Sequence, residues 1–221
     1  GMASIYTPLG PAMKRDLADV TDFVRFKNGS EKFIKANDKV LRSNISFADP
    51  QVFRMFSFPF LSGNSTEALK DPRRLVLTKS TALQIFGETN IVGKRVDIKM
   101  EDSFEPFVVG GVINDIPANS SFQFEILGSF DYVAASNMGK ESANDWNMTI
   151  GVETYVQLRD GSKLMDDPLR LAKFRHAYYL GEELQLKKAG TWKEGPLPVS
   201  FRLQPIRDIH INTTIENGPE S

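Results

Sequence analysis

Leu75-Val76-Leu77-Thr78-Lys79-Ser80-Thr81-Ala82-Leu83-Gln84-Ile85-Phe86-Gly87 carries a strand, a helix and both helix boundaries in one run. The apolar triplet Leu75 to Leu77 reads as a compact buried strand. Thr78 is a residue type that caps helix N-termini, Lys79 to Phe86 has helical composition, and Gly87 supplies the left-handed stop. Downstream, Arg95 to Glu101 alternates without a break. Val96, Ile98 and Met100 fall on one face and Arg95, Asp97, Lys99 and Glu101 on the other, the pattern of a half-buried antiparallel strand. Glu101-Asp102-Ser103 turns the chain back into Phe104 to Ile113, where the doubled Gly110-Gly111 predicts a bulge or a close backbone approach.

Working outward, Thr7-Pro8 ahead of Leu9, Met13 and Leu17 predicts a short opening helix. Val20 to Phe26, then Asn28-Gly29-Ser30, then Phe33-Ile34 and Val40-Leu41 read as strand, turn, strand, strand. Asp49-Pro50 starts a helix through Val52, Phe53 and Phe56 that Pro59 stops, with Phe58 and Phe60 extended. Gly63-Asn64-Ser65-Thr66 and Pro117-Ala118-Asn119-Ser120-Ser121 are loops. Phe124 to Val133 and Val152 to Leu158 read as strands, separated by loop or frayed helix over Ala134 to Asp145. Asp167-Pro168 opens the longest helix, with Leu171, Phe174 and Tyr178 on one face and Gly181 ending its first stretch. Gly190 to Pro198 is a loop holding Trp192, and Val199, Phe201 and Leu203 form a closing strand before a polar tail. Short helices among mostly antiparallel strands make the fold class α+β.

The chain has 221 residues, of which 41% are hydrophobic and 25% charged, as in a folded domain; this length leaves one lobe or two open. Lys plus Arg number 27 against 28 Asp plus Glu, so no global field draws the protein to nucleic acid or to an anionic membrane. The absence of cysteine removes disulfides, thiolate metal sites and cysteine nucleophiles. No apolar run approaches the roughly 18 residues needed to span a bilayer. Gly1 before Met2 reads as an expression scar, and the N-terminus lacks the pattern of a signal peptide.

Chemistry is sparse. Gly87 to Arg95 is a near miss for a phosphate loop: five residues separate Gly87 from Gly93 where four are required, Arg95 stands where a Ser or Thr must hold magnesium, and the run follows a helix instead of a strand. It reads as a helix stop followed by a strand entry. His176 and His210 match no metal-ligand spacing. His176 suits a surface or helix-terminus role, and His210 shares a strand face with Asp208, as an orienting pair without a serine placed for a triad. Asp145, Asp166 and Asp167 supply carboxylates, but their separation in space is not readable from sequence. Phe53, Phe56, Phe58 and Phe60 read as a packed core at a helix-to-strand junction, with a partner-binding surface as the alternative. Six Asn-x-Ser/Thr sequons, at Asn28, Asn44, Asn64, Asn119, Asn147 and Asn212, are compositional. No catalytic, cofactor-binding or metal-ligating residue is assigned, and the partner-binding residues are left open.

The order of the motifs resembles the extracytoplasmic domain of FtsX-like and MacB-like ABC transporter permeases. The stretches that carry the resemblance are Phe47 to Gly63, Leu75 to Gly87, Ile91-Val92-Gly93-Lys94, Phe107 to Ser121, Glu153 to Leu158 and Leu203 to His210. Asn90, where an acidic residue is usual, and Val92, beside Ile91 in place of Pro-Ile, depart from the family pattern. The resemblance implies a two-lobed α+β domain: a porter-like βαβ lobe from 1–61 and 122–221, and an inserted strand-rich, sabre-like lobe with one short helix at 62–121. It also implies a non-catalytic domain without cofactors, on the periplasmic side of a bacterial inner membrane. There it would relay ATP-driven motion in export, efflux, lipoprotein trafficking or envelope regulation. The implied partners are an ABC-type ATPase acting through membrane helices, a permease dimer partner, and a periplasmic adaptor, lipoprotein or peptide. The alternatives from other classes are a stand-alone peptide- or lipid-binding module, and a hydrolase built on carboxylates or on Asp208 and His210.

Overall fold

The computed structural model describes residues 6–36, 39–120, 122–190 and 201–206. In chain order the elements are α1 (Leu9–Asp16), β1 (Val20–Ala36), β2 (Lys39–Ala48), α2 (Val52–Met55), β3 (Phe60–Gly63), β4 (Arg74–Thr78), α3 (Lys79–Phe86), β5 (Arg95–Lys99), β6 (Phe104–Ile113), β7 (Ile126–Ser129), α4 (Phe130–Ala135), α5 (Asn137–Ser142), β8 (Val152–Leu158) and α6 (Pro168–Lys188). This is an α+β fold, as the sequence predicts.

Two compact units can be distinguished, one holding 6–10 and 23–155 and the other 11–22, 156–190 and 201–206.

In the larger unit six strands pair in a closed circuit. β1 runs antiparallel to β2, β2 parallel to β7, β7 antiparallel to β4, β4 parallel to β6, β6 antiparallel to β5, and β5 antiparallel to β1 through Ile34↔Ile98 and Lys35↔Asp97. β3 adds to β6. A circuit gives every strand one inward row, and these rows merge into a single core that includes Ile34, Ile45, Leu77, Ile98, Phe107 and Ile126, with Ala82 and Ile85 of α3 packed into it.

Two glycines make the circuit possible. A Cβ on Gly29 would lie 1.9 Å from the Ile45 carbonyl oxygen, and one on Gly110 would lie 2.0 Å from that of Ala68. Asn28-Gly29-Ser30 is therefore not the expected turn. β1 passes straight through it with a register shift against β2 between Lys27 and Ser30, so the glycine serves close approach and the motif is a bulge. Gly110-Gly111 behaves as expected, with a shift in the β4–β6 register there.

Other expectations need correction. The run 124–133 is not one strand: β7 ends at Ser129, whose hydroxyl accepts the Asp131 N–H and starts α4. α2 is a single turn that ends before Phe56, well short of Pro59, and Asp49 does not cap it with its side chain. Within the smaller unit, α6 is capped as predicted, Asp167 Oδ1 accepting the Arg170 N–H at 3.0 Å. Its break comes at Tyr179 (φ −114°, ψ 20°), and the helix continues past Gly181 to Lys188. Phe201 to Leu203 forms no strand; Phe201 instead packs its ring 6.2 Å from Phe174 and 5.7 Å from Tyr179. Trp192, Val199 and the rest of 191–200 lie outside the described residues.

Candidate functional site

The chemical candidates among the described residues do not converge on one site; of the carboxylates, Asp145 Oδ1 accepts the Asn147 N–H at 2.7 Å and Asp167 caps α6. In the phosphate-loop near miss, Gly87 (φ 77°) donates its N–H to Leu83 O at 2.9 Å, closing α3 in the left-handed conformation. Gly93 donates to Val109 O at 2.8 Å and Lys94 to Ile91 O at 3.0 Å. Those amides are consumed by the fold and cannot cradle an anion. Lys94 Nζ is turned onto Glu88 at 2.6 Å. His176 lies exposed on α6, and Asp208 and His210 lie outside the described residues. Among the described residues no group of three His, Cys, Asp or Glu side chains could hold a metal ion.

The phenylalanines divide between the two readings. Phe53 is buried and meets Phe58 and Phe60 edge-on at 5.7 and 5.0 Å. Phe56 is half-buried, with its ring 4.6 Å from Phe122 and 5.8 Å from Tyr155. Tyr155 donates to Glu153 at 2.7 Å; burial first, and that carboxylate second, push its phenol far above the usual range. This aromatic cluster is mainly a packing device.

The surface that packing does not explain is the outer face of the circuit at β2, β1, β5 and β6. Inward residues alternate there with outward ones, so the burial of Ile34, Val96, Ile98 and Phe107 fixes Phe33, Lys35, Arg95, Asp97, Lys99, Phe104 and Pro106 on the opposite side. Phe33 is 43% exposed, Phe104 45% and Val40 60%. Arg42 pairs with Glu31 at 3.2 Å and lies over the Phe33 ring at 4.8 Å, and Arg95 pairs with Asp97 at 2.7 Å. At one end of this face an open hollow of about 430 Å³ is lined by Lys35, Ala36, Phe86, Lys94, Arg95 and Asp97. No nucleophile is seated beside a base on this face. What it offers is apolar area and positive charge, the makings of a docking surface.

Residues 2–165 match the family described as the MacB-like periplasmic core domain. The chain belongs to that family.

The fold of this MacB-like core domain is shared by solved structures. A domain of a protein described as a permease from Porphyromonas gingivalis aligns with a TM-score of 0.68 and 23% identity over 80% of this chain and 79% of that one. The periplasmic region of MacB from Actinobacillus actinomycetemcomitans gives a TM-score of 0.57 and 16% identity over 88% and 86%. The extracellular domain of the noncanonic ABC-type transporter YknZ from Gram-positive bacteria gives 0.54 and 14% over 81% and 85%. No curated protein sequence matches the chain. No described helix is long and apolar enough to cross a membrane.

Two features of this MacB-like domain escaped sequence reasoning. The outer-face rows depend on which residues of β1, β2 and β5 stand level, and only the alternation within β5 was visible. The other is Asp115, in the loop after β6. Its Oδ1 accepts the Ser80 N–H and its Oδ2 the Ser80 hydroxyl, both at 2.8 Å, so it caps α3 from 35 residues away. Thr78, the expected cap, spends its hydroxyl on Thr81 at 2.8 Å instead. The signal available was an Asp held just before a Pro-bearing loop at the end of a strand.

Proposed function

We propose that this chain is the non-catalytic, extracytoplasmic domain of a bacterial ABC-transporter permease, facing the periplasm from the inner membrane. In this reading it passes ATP-driven conformational change to a partner or substrate outside the membrane. The match to the MacB-like periplasmic core domain family over 2–165 carries the reading. The likeness of its fold to domains whose names place them in permeases and ABC-type transporters supports it.

A relay of this kind works through rigid packed elements whose arrangement an input can shift, and needs no reactive group of its own. The core shared by the strands of the circuit and α3 in the larger unit supplies such rigidity. The lobe division belongs to the same proposal: 62–121 acts as the inserted lobe, and 1–61 with 122–221 as the porter-like lobe. The partners are an ABC-type ATPase reached through membrane helices, a second permease copy, and an adaptor, lipoprotein or peptide outside the membrane.

The test uses the parent protein together with its ATPase in lipid nanodiscs. With any cysteine elsewhere in the parent replaced, Glu141→Cys on α5 takes a single spin label in each copy, because the domain itself has no cysteine. Electron–electron distance measurements should show a separation that differs between nucleotide-free and ATP-trapped states. ATP hydrolysis with unchanged label distances would overturn the relay. A parent sequence without apolar stretches of about twenty residues beside this domain would overturn the permease assignment.

A further inference from the structure

The outer face of the circuit carries charge that its own residues leave unanswered. The register puts Arg42 level with Phe33, and Lys99 level with Phe104; continuing from Ile34↔Ile98 by one residue brings Phe33 level with Lys99. The row thus reads Arg42, Phe33, Lys99, Phe104, and the next reads Val40, Lys35, Asp97, Pro106. Of the cations here, Arg42 is answered by Glu31, Arg95 by Asp97 and Lys94 by Glu88. Among the described residues Lys35 and Lys99 have no carboxylate partner. Among the described residues the ion pairs on this face therefore leave two positive charges in excess, with Asp97, level with Lys35, held by Arg95, on a chain whose total formal charge is −1.

These two lysines stand on adjacent strands two residues out of step, a diagonal separation of roughly 7 to 8 Å at the backbone. A single carboxylate between them can reach both ammonium groups. On either side lie the exposed rings of Phe33 and Phe104, and Val40 stands on the flank. An extended peptide presents alternate side chains every ~6.6 to 7 Å, which matches the spacing of carboxylate and apolar positions this face would accept. A membrane surface fits less well, because a continuous sheet of anionic headgroups would press on Glu31 and Asp97 as well, whereas a peptide can set its carboxylate on the Phe33 side of the two lysines, away from Asp97.

We propose that this face docks an extended, acidic and apolar segment of a partner protein, its carboxylates seated between Lys35 and Lys99 and its apolar side chains on Phe33, Phe104 and Val40. The inference rests on the reading of the domain as one that works through protein contacts, and names the chemistry of the contact.

The test titrates the 221-residue protein into a fluorescein-labelled, end-capped peptide of the pattern Glu-Ser-Phe-Ser-Glu-Ser-Leu-Ser, which puts glutamate and apolar side chains on one face of an extended chain, at ~0.15 M salt. Counterparts with glutamine or with lysine in place of glutamate serve as controls. Anisotropy should show binding of the glutamate peptide, weakened at least about tenfold by Lys35→Glu/Lys99→Glu, which should in turn bind the lysine peptide. Phe33→Ser/Phe104→Ser should abolish binding of either. Circular dichroism confirms folding of each variant, and Lys35→Gln/Lys99→Gln replaces the reversal if it does not fold. Equal binding of the glutamine peptide, or insensitivity to these variants, overturns the proposal. So does adsorption to phosphatidylglycerol–phosphatidylcholine vesicles with the same residue dependence while the peptides fail to bind, which would make the face lipid-facing. Self-association through these residues in sedimentation would likewise replace the peptide with a second copy. Each of these failures leaves the ATP-linked distance change untouched, so the loss of this inference is distinguishable from the loss of the permease reading.

Discussion

Arg25 closes a bidentate pair on Asp49, Nε to Oδ2 at 2.9 Å and Nη2 to Oδ1 at 2.8 Å, with its guanidinium 4.2 Å from the centre of the Phe130 ring. The backbones are tied as well: the Arg25 N–H donates to Asp49 Oδ2 at 2.7 Å, and the Asp49 N–H donates to Arg25 O at 3.1 Å. The side chains are 16% and 5% exposed, so one ion cannot be deleted without leaving the other inside. Asp49→Ala should therefore lower the unfolding free energy by about 3 to 5 kcal/mol, the range for breaking a buried pair. Asp49→Asn keeps an acceptor for the Arg25 N–H and should lose less. Urea denaturation of the two variants checks the order.

In the smaller unit Asp19 gathers two hydrogen-bond donors and a further cation. Arg159 Nε and Ser162 Oγ reach Oδ1 at 3.1 and 2.9 Å, and Arg170 of α6 pairs with Oδ2. The Ser162 hydrogen bond first, and the two guanidinium groups after it, hold the Asp19 carboxyl below its ordinary value, against the opposing effect of burial. A carboxyl with a depressed folded pKa contributes stability above its unfolded pKa, and that contribution is lost as pH falls through the folded one. Asp19→Asn should thus be less stable than the parent at pH 7, and its stability should fall less steeply below about pH 4, because fewer protons are taken up on unfolding. Equal slopes in thermal melts from pH 6 to pH 2.5 would contradict this.

The contrast between β4–α3–β5–β6 and β1–β2 shows what the sequence could tell. Leu75 to Gly87 and Phe104 to Ile113 were readable because their determinants are local: an apolar triplet, a glycine stop, an alternation. Asn28-Gly29-Ser30 has the composition of a turn, but its conformation is set by the Ile45 carbonyl of the next strand, which no window around Gly29 contains. The same holds for α3's cap, where Thr78 has the right chemistry and Asp115 does the work. The run 124–133 was ambiguous because a short apolar stretch fits either period until Ser129 is seen to cap. The outer face depends on register. Lys35 and Lys99 become neighbours only once Ile34 is known to stand opposite Ile98.

The remote cap makes a test of its own. Asp115→Ala should cost about 1 kcal/mol, the usual price of an N-cap, although Asp115 lies outside the helix it serves. The loss should appear in hydrogen exchange as faster exchange of the Ser80 amide relative to Leu83 and Gly87. Thr78→Ser keeps the hydroxyl that meets Thr81 and should leave that amide nearly unchanged.

The close approaches at Gly29 and Gly110 should be intolerant of any side chain. Each Cβ would meet a backbone oxygen at about half the normal contact distance, so relief requires moving a strand or the segment at Ala68. Gly110→Ala and Gly29→Ala should each destabilise by at least ~1 to 3 kcal/mol. Gly161 and Gly190 have nothing within 4 Å and carry only the strain of positive φ, so alanine there should cost about 1 to 2 kcal/mol, less than at the two close approaches. Thermal melts of the four variants would separate the two classes.

Alkaline pH reads a different set of groups. Tyr132 donates to Glu105 at 3.0 Å, and burial first, then that hydrogen bond, push its phenol up to about 12. The Tyr155 phenol, donated to Glu153, is raised further by the same two causes. A raised folded pKa means that the neutral phenol is favoured by folding, so the contribution is fully present below the unfolded value near 10 and is lost as pH rises through the folded one. Stability should therefore decline between about pH 10 and pH 12, with phenolate absorbance appearing together with unfolding for these two residues. Tyr155→Phe removes the more buried phenol and should flatten that decline more than Tyr132→Phe does. The reverse order, measured by urea denaturation across this interval, would mean that the Glu105 partner, and not burial, governs the alkaline limb.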